Sequence, residues 1–194
     1  MSSQSTIIYL TGKPGVGKYT IVQALAKKYE FIICDNQLIN NPIFELLQYD
    51  GYTKIPDFAW DSIAKIRTEV LNFLTKIPNK NYVLTNCLAE TNEDREMYEQ
   101  VENMAKSRGS TFIPVKFEIT KDEHLIRLTK PERRKRWKSI DPQDAEDNGP
   151  LLSIHHPNLL ALEISYLSPD IVADKIMEHI NKVNLDMKAG GNDE

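Results

Sequence analysis

Apolar residues fall into short unbroken runs separated by longer stretches of helical spacing. The runs are TIIYLT (6–11), FIIC (31–34), YVLT (82–85), TFIPVKFEI (111–119) and LLALEI (159–164). Short apolar, β-branched runs bounded by turn residues predict buried strands. Pro114 removes a ladder donor from the fourth run and predicts a bulge or an edge there. Between the runs the period changes. Ile21, Leu25 and Tyr29 recur at i, i+4 and i+8. A second helix is predicted over 36–47. The stretch 57–76 puts Ile63, Ile66, Val70, Phe73 and Leu74 on one face, and Ile77 just beyond it continues that face. Residues 92–108 stop before Gly109, a suitable C′ residue. Residues 121–129 predict a short helix that Pro131 ends. A last helix over 168–183 opens on Ser168-Pro169-Asp170, which supplies an N-cap, a proline at N1 and a first-turn acid. Strands alternating with helices predict an α/β fold, a parallel sheet with helices on both faces. The polar tail from 184 is expected to fray, with 185–194 disordered.

Composition narrows the class. The chain has 194 residues, 41% of them hydrophobic, which suits one folded domain with a short insertion. Cys34 and Cys87 make no zinc-type spacing and read as small hydrophobes. The start has no basic n-region, and no run approaches the roughly 18 apolar residues needed to span a bilayer. A cytoplasmic protein without membrane partners is expected, as a monomer or a homodimer. The formal charge of −4 hides an asymmetry. Residues 127–138, RLTKPERRKRWK, hold seven basic residues and one acid, a local +6 that leaves −10 for the rest. An acidic body argues against general nucleic-acid binding and gives the strip a local task.

The loop after the first run names that task. Gly12-Lys13-Pro14-Gly15-Val16-Gly17-Lys18-Tyr19-Thr20 satisfies G-x4-G-K between a predicted strand and a predicted helix. Small residues let the backbone wrap a phosphate with N–H groups inward, and the helix adds its positive end. Lys18 brings a full charge to the β/γ-phosphates. The usual Ser or Thr after that lysine is Tyr19, and Thr20 follows one place later. The third run ends Leu84-Thr85-Asn86 with no acid before Glu90, so no clear Walker B carboxylate is present.

Other candidates cluster at predicted strand ends, where ligands of open α/β sheets sit. Asp35 could meet an acceptor hydroxyl and help hold Mg²⁺ through water, or simply cap the next helix. Asn86 is a substrate candidate or a turn residue. Arg67 falls about 40° from Ile63 on a helical wheel, the only charge inside the stripe of Ile63, Val70 and Leu74. It either snorkels to the helix edge or forks an anionic substrate group. Arg127, Arg133 and Arg134 in the basic strip could close over phosphates as a lid, spanning about 127–150. A solvated charged helix and a nucleic-acid patch are the other readings of that strip. His155 and His156 read as structural.

The form G-x-P-G-x-G-K-x-T resembles adenylate kinases and other small P-loop kinases. TGKPGVGKYT, CDNQLINNPIFELL, YVLTNCLAETNEDREMYE, KPERRKRWKSIDP and HHPNLLALEISYLSP together resemble successive blocks of a bacterial family of P-loop kinase-like ATP-binding proteins, labelled shikimate-kinase-like or AAA-type. The resemblance implies one domain over 1–184 with a five-stranded parallel sheet of order 2-3-1-4-5 and a small lid. It implies ATP and Mg²⁺ as cofactors, with Gly12, Pro14, Gly15, Val16, Gly17, Lys18, Tyr19 and Thr20 on the nucleotide. It also implies that metal is held largely through water, that Asp35 meets the acceptor, and that Arg67 binds substrate. Arg127 and one or both of Arg133 and Arg134 would match the lid arginines. The glycine-rich turn that follows the third strand in shikimate kinases is absent, which argues against shikimate.

These readings converge on an ATP-dependent kinase acting on a hydroxyl of a small molecule. Three alternatives stay open. One is a nucleoside or nucleotide kinase, another a nucleotide-dependent binding or regulatory module without transfer, and the third an RNA-end kinase using the basic strip.

Overall fold

In a computed structural model, residues 4–128, 130 and 149–190 are described. Five strands form one parallel sheet: β1 (Thr6–Thr11), β2 (Ile32–Cys34), β3 (Tyr82–Asn86), β4 (Thr111–Glu118) and β5 (Leu160–Glu163). Their spatial order is β2-β3-β1-β4-β5, as expected. β1 is central, pairing Ile7 with Tyr82 on one side and Thr6 with Thr111 on the other. Six helices are described: α1 (Lys18–Tyr29), α2 (Asn36–Leu46), α3 (Asp57–Thr75), α4 (Asn92–Ser107), α5 (Lys121–Leu128) and α6 (Pro169–Gly190).

The strands read as continuous apolar runs because both sheet faces are covered. Ile7, Tyr9, Tyr82, Leu84 and Phe112 point into one core with α2, α3 and α4. Ile8, Leu10, Val83, Ile113, Val115 and Phe117 point into the other with α1 and α6. All four strand pairings are parallel, so every carboxyl strand end lies at one edge of the sheet.

Pro114 sits in a strand with neighbours on both sides, not on an edge strand. Pairing with β5 begins only at Val115, so no β5 residue is registered opposite Pro114. The stripe read on α3 is also divided. Ile63 and Leu74 are buried with Leu71, but Phe73 is 59% exposed. A periodicity marks apolar positions without saying which of two adjacent faces meets the core. α6 continues to Gly190, although Val183 is the last core residue it contributes. The sequence NLDMKAG keeps good helix formers, and propensity carries the helix past its packing. Residues 191–194 lie outside the described residues.

A buried arginine braces the amino end of the strands. Arg108 donates to the carbonyls of Leu74 (2.9 Å) and Lys80 (2.6 Å) and to Ser110 Oγ (3.1 Å). Its guanidinium also lies over the Tyr82 ring. At this end α3, the β3 entry and β4 are locked, and the opposite end is left for chemistry.

Candidate functional site

The glycine-rich loop leaves the carboxyl end of central β1 and runs into α1. Gly15 has φ +87° and Gly17, the N-cap of α1, φ +108°. A side chain at either would be strained. No side chain caps α1, and no acid lies in its first turn. Every other described helix has one or the other: Asp35 caps α2, Thr91 caps α4 and Ser168 Oγ accepts from Ile171 N at α6, while Asp57 and Asp122 open α3 and α5. The α1 terminus thus keeps its positive end for something outside the protein. Lys18 Nζ donates to the carbonyls of Gly12 (2.5 Å) and Lys13 (3.0 Å), bent back over the loop. Pro14 and Tyr19 are half-buried, Val16 is buried and Thr20 is exposed on α1.

A second layer holds this loop from behind, and the sequence reading missed it. α5 presents His124, Arg127 and Leu128 at i, i+3 and i+4. His124, 3% exposed, donates Nε2–H to the Pro14 carbonyl at 2.5 Å. Leu128 is fully buried against Gly15, where an added Cβ would stand 2.8 Å from its Cγ and Cδ2. Arg127 donates through Nη1 to the Val16 carbonyl (2.8 Å) and through Nη2 to those of Ile164 (3.1 Å) and Ser165 (2.6 Å). Its Nε pairs with Glu123 at 2.8 Å. The structure therefore places Arg127 as a brace between the glycine loop and the β5–α6 connection, and not as an arginine free to close over phosphates. Three successive loop residues, 14 to 16, are fixed by one helix face. The signal was present as that i, i+3, i+4 spacing, but the basic strip beyond it drew the assignment toward a lid. Arg133, Arg134 and Trp137 lie outside the described residues.

Across the sheet, Asp35 ends β2 and Asn86 ends β3, next to β1. Asp35 is 3% exposed, and its Oδ1 accepts from Leu38 N at 3.1 Å as the α2 N-cap. The capping role is real, and an ionised carboxylate has further acceptor capacity on its two oxygens. Thr85 Oγ1 accepts from Asn36 N (3.1 Å), tying the start of α2 to β3. Burial, with the neighbouring Asp35 charge, pushes the Cys34 thiol up to about 11, so this cysteine is a small apolar filler. Asn86 is spent internally. Its Nδ2 donates to Tyr9 Oη (3.3 Å) and Met97 Sδ (2.7 Å), and its Oδ1 accepts from Cys87 N (2.9 Å). It positions Tyr9 and the β3 exit, and its Oδ1 keeps one further acceptor position.

Arg67, half-buried like Arg127, behaves differently from Arg108 and Arg127. It lies on α3 near Tyr9 and Asp94, and burial lowers its pKa while those two groups oppose the shift. It makes no hydrogen bond or ion pair with any described residue. Other polar groups in this layer share the condition. Gln37 Oε1, Asn40 Oδ1 and Asn41 Oδ1 on α2 and Tyr98 Oη on α4 are buried without a hydrogen-bond partner. Gln37, Asn40 and Asn41 stand at i, i+3 and i+4, one face of α2. Burying such groups unpaired costs about 1–3 kcal/mol each.

The stems of the 131–148 segment reach both halves. α5 leads in from the glycine loop. On return, Leu152 N donates to the Leu88 carbonyl and Glu90 N to that of Pro150, beside the β3 exit. His156 is structural, stacked edge-on against Phe112 and accepting from Asn158 N on Nδ1.

Among the described residues, no group of three or more His, Cys, Asp or Glu is arranged to hold a metal, and no helix is long and apolar enough to cross a membrane. Asp35 and Thr20 fit a hydrated Mg²⁺ carried mainly by phosphates, since that ion keeps several waters and needs one or two carboxylates at most.

No family model matches the sequence, and no curated protein matches it. Solved structures do. The chain is similar to a protein of Chloroflexus aurantiacus assigned as a kinase, with a TM-score of 0.67 and 18% identity over 93% of this chain and 98% of that one. A gluconokinase of Sinorhizobium meliloti gives 0.59 and 12%, covering 98% and 99%. The APS kinase of Mycobacterium tuberculosis, in complex with AMPPNP and APS, gives 0.53 and 16%, covering 92% and 98%. The fold is that of the small P-loop kinases.

Proposed function

We propose that the chain transfers the γ-phosphoryl group of ATP to a hydroxyl of a small acceptor that carries an anionic group. One observation carries the reading: an uncapped helix start behind a glycine loop shares the carboxyl sheet edge with a buried carboxylate, Asp35. The loop and α1 supply fixed positive dipoles for the polyphosphate. Lys18 exchanges its loop carbonyls for phosphate oxygens when nucleotide enters. Asp35 accepts the proton of the attacking hydroxyl, the new O–P bond forms, and ADP leaves with the bond electrons of the β–γ bridge. Arg67 supports an acceptor carboxylate or phosphate, because its guanidinium is desolvated and has donors to give. Mg²⁺, when bound with ATP, neutralises charge on the transferring phosphate.

Structural neighbours named as gluconokinase and APS kinase support the class without naming this acceptor. ATP consumption should be screened against sugars, sugar acids, nucleosides, nucleoside monophosphates and aminoglycosides. An anionic acceptor is expected to raise turnover well above the water rate. Asp35→Asn, which keeps a capping oxygen, should lower that turnover at least about 100-fold while ATP binding persists. No acceptor in any class, with ATP turnover indifferent to Asp35→Asn, would sink the assignment.

A further inference from the structure

α3 carries an apolar face that stands exposed among the described residues. Phe58 is 66% exposed and Phe73 59%. Between them Ile66 and Val70 are half-buried and line a groove with Lys65, Glu69 and Phe73. At about 100° per residue, Phe58, Ser62, Ile66, Glu69 and Phe73 follow one stripe, with Lys65 beside it. The core side of α3 is elsewhere, through Ala59, Ile63, Leu71 and Leu74. Lys65 and Glu69 are exposed, and neither forms an ion pair with a described residue.

The stripe has the same plan read from either end: an aromatic, then a charge, then the opposite charge, then an aromatic. That is the requirement of an isologous contact, in which one patch meets itself. We propose that this face of α3 joins two copies of the chain, packed antiparallel about a two-fold axis beside residues 65 to 67. Phe58 then meets the partner's Phe73 at each end. Lys65 meets the partner's Glu69 twice, once on each side of the axis. The aromatic pairing centres between residues 65 and 66 and the charge pairing at 67, so with the aromatics opposed Lys65 and the partner's Glu69 stand about 4.5 Å apart along the helix axis, an offset that their long side chains span. Parallel packing would set Lys65 on the partner's Lys65 and Glu69 on the partner's Glu69, so the charges also select the direction. Arg67 is carried by the same helix, so the contact would join two acceptor sites through one helix pair.

The charge pattern gives a test that loss of folding cannot imitate. Sedimentation velocity of the full chain at tens of micromolar is expected to show a dimer. Lys65→Glu and Glu69→Lys should each weaken self-association at least about tenfold, because each sets like charges against one another twice. Mixing the two variants in equal amounts should restore the dimer, since every reversed charge then meets its opposite on the other chain. A monomeric wild type, single reversals that leave the dimer intact, or a mixture that stays monomeric would each overturn the proposal.

Discussion

The two halves of the site treat their buried polar groups in opposite ways. Around the glycine loop, His124 and Arg127 are fully engaged, donating to the carbonyls of Pro14, Val16, Ile164 and Ser165. In the α2–α4 layer, Arg67 makes no hydrogen bond with a described residue, and among the described residues four buried oxygens on α2 and α4 stand without partners. The first half is finished before any ligand arrives. In the proposed function, an acceptor would complete the second. A nucleotide site needs one fixed geometry for a phosphate chain, and bonds behind the loop supply it. A group that must discriminate an acceptor gains most when binding relieves an unpaired charge or oxygen.

Four substitutions sharpen or break that contrast. Lys18→Ala should lower turnover about 100-fold or more with little change in melting temperature, because its loop bonds are local. Arg127→Met should destabilise the free protein by about 3 kcal/mol in urea titration and weaken nucleotide binding, since it frees three carbonyls in two connections. Arg67→Met should do the reverse in the absence of ligand. It removes an unpaired desolvated charge, so stability should rise by about 1 kcal/mol, while KM for the anionic acceptor rises about tenfold or more. A loss of stability in Arg67→Met as large as in Arg127→Met would erase the distinction. Asn40→Leu, at a position 2% exposed, should raise stability by up to about 1 kcal/mol and alter only acceptor kinetics. Calorimetric ATP binding unchanged in both acceptor-half variants would complete the contrast.

Much of the frame was legible in the chain because strands buried on both faces write themselves as short apolar runs. The loop was legible because phosphate binding demands glycine at particular spacings. Arg127 shows where legibility ends. Its basic neighbours suggested a charged flap, and only the tertiary approach of Val16 and Ile164 reveals a brace. Leu128 is an ordinary helical leucine in sequence, and nothing local says that it fills the space a Cβ at Gly15 would need. Asn86 was visible as a strand-end amide, but its commitment to Tyr9 and Met97 depends on side chains 77 and 11 positions away. Phe73 was visible as apolar and on one face with Ile63 and Leu74, but a period does not say how much of that face the core covers.

The register of β1 has a consequence during synthesis. Its six residues, TIIYLT, carry no charge and no proline, and all are buried. Ile7 pairs with Tyr82 and Thr6 with Thr111, so neither neighbour exists when the strand leaves the ribosome. At about 5–20 residues per second, the second neighbour follows β1 by roughly 5–20 s. For that interval the nascent chain displays the kind of segment that seeds intermolecular cross-β pairing. The strand at the centre of the finished sheet is therefore the one that waits longest for its last neighbour while the chain is being made.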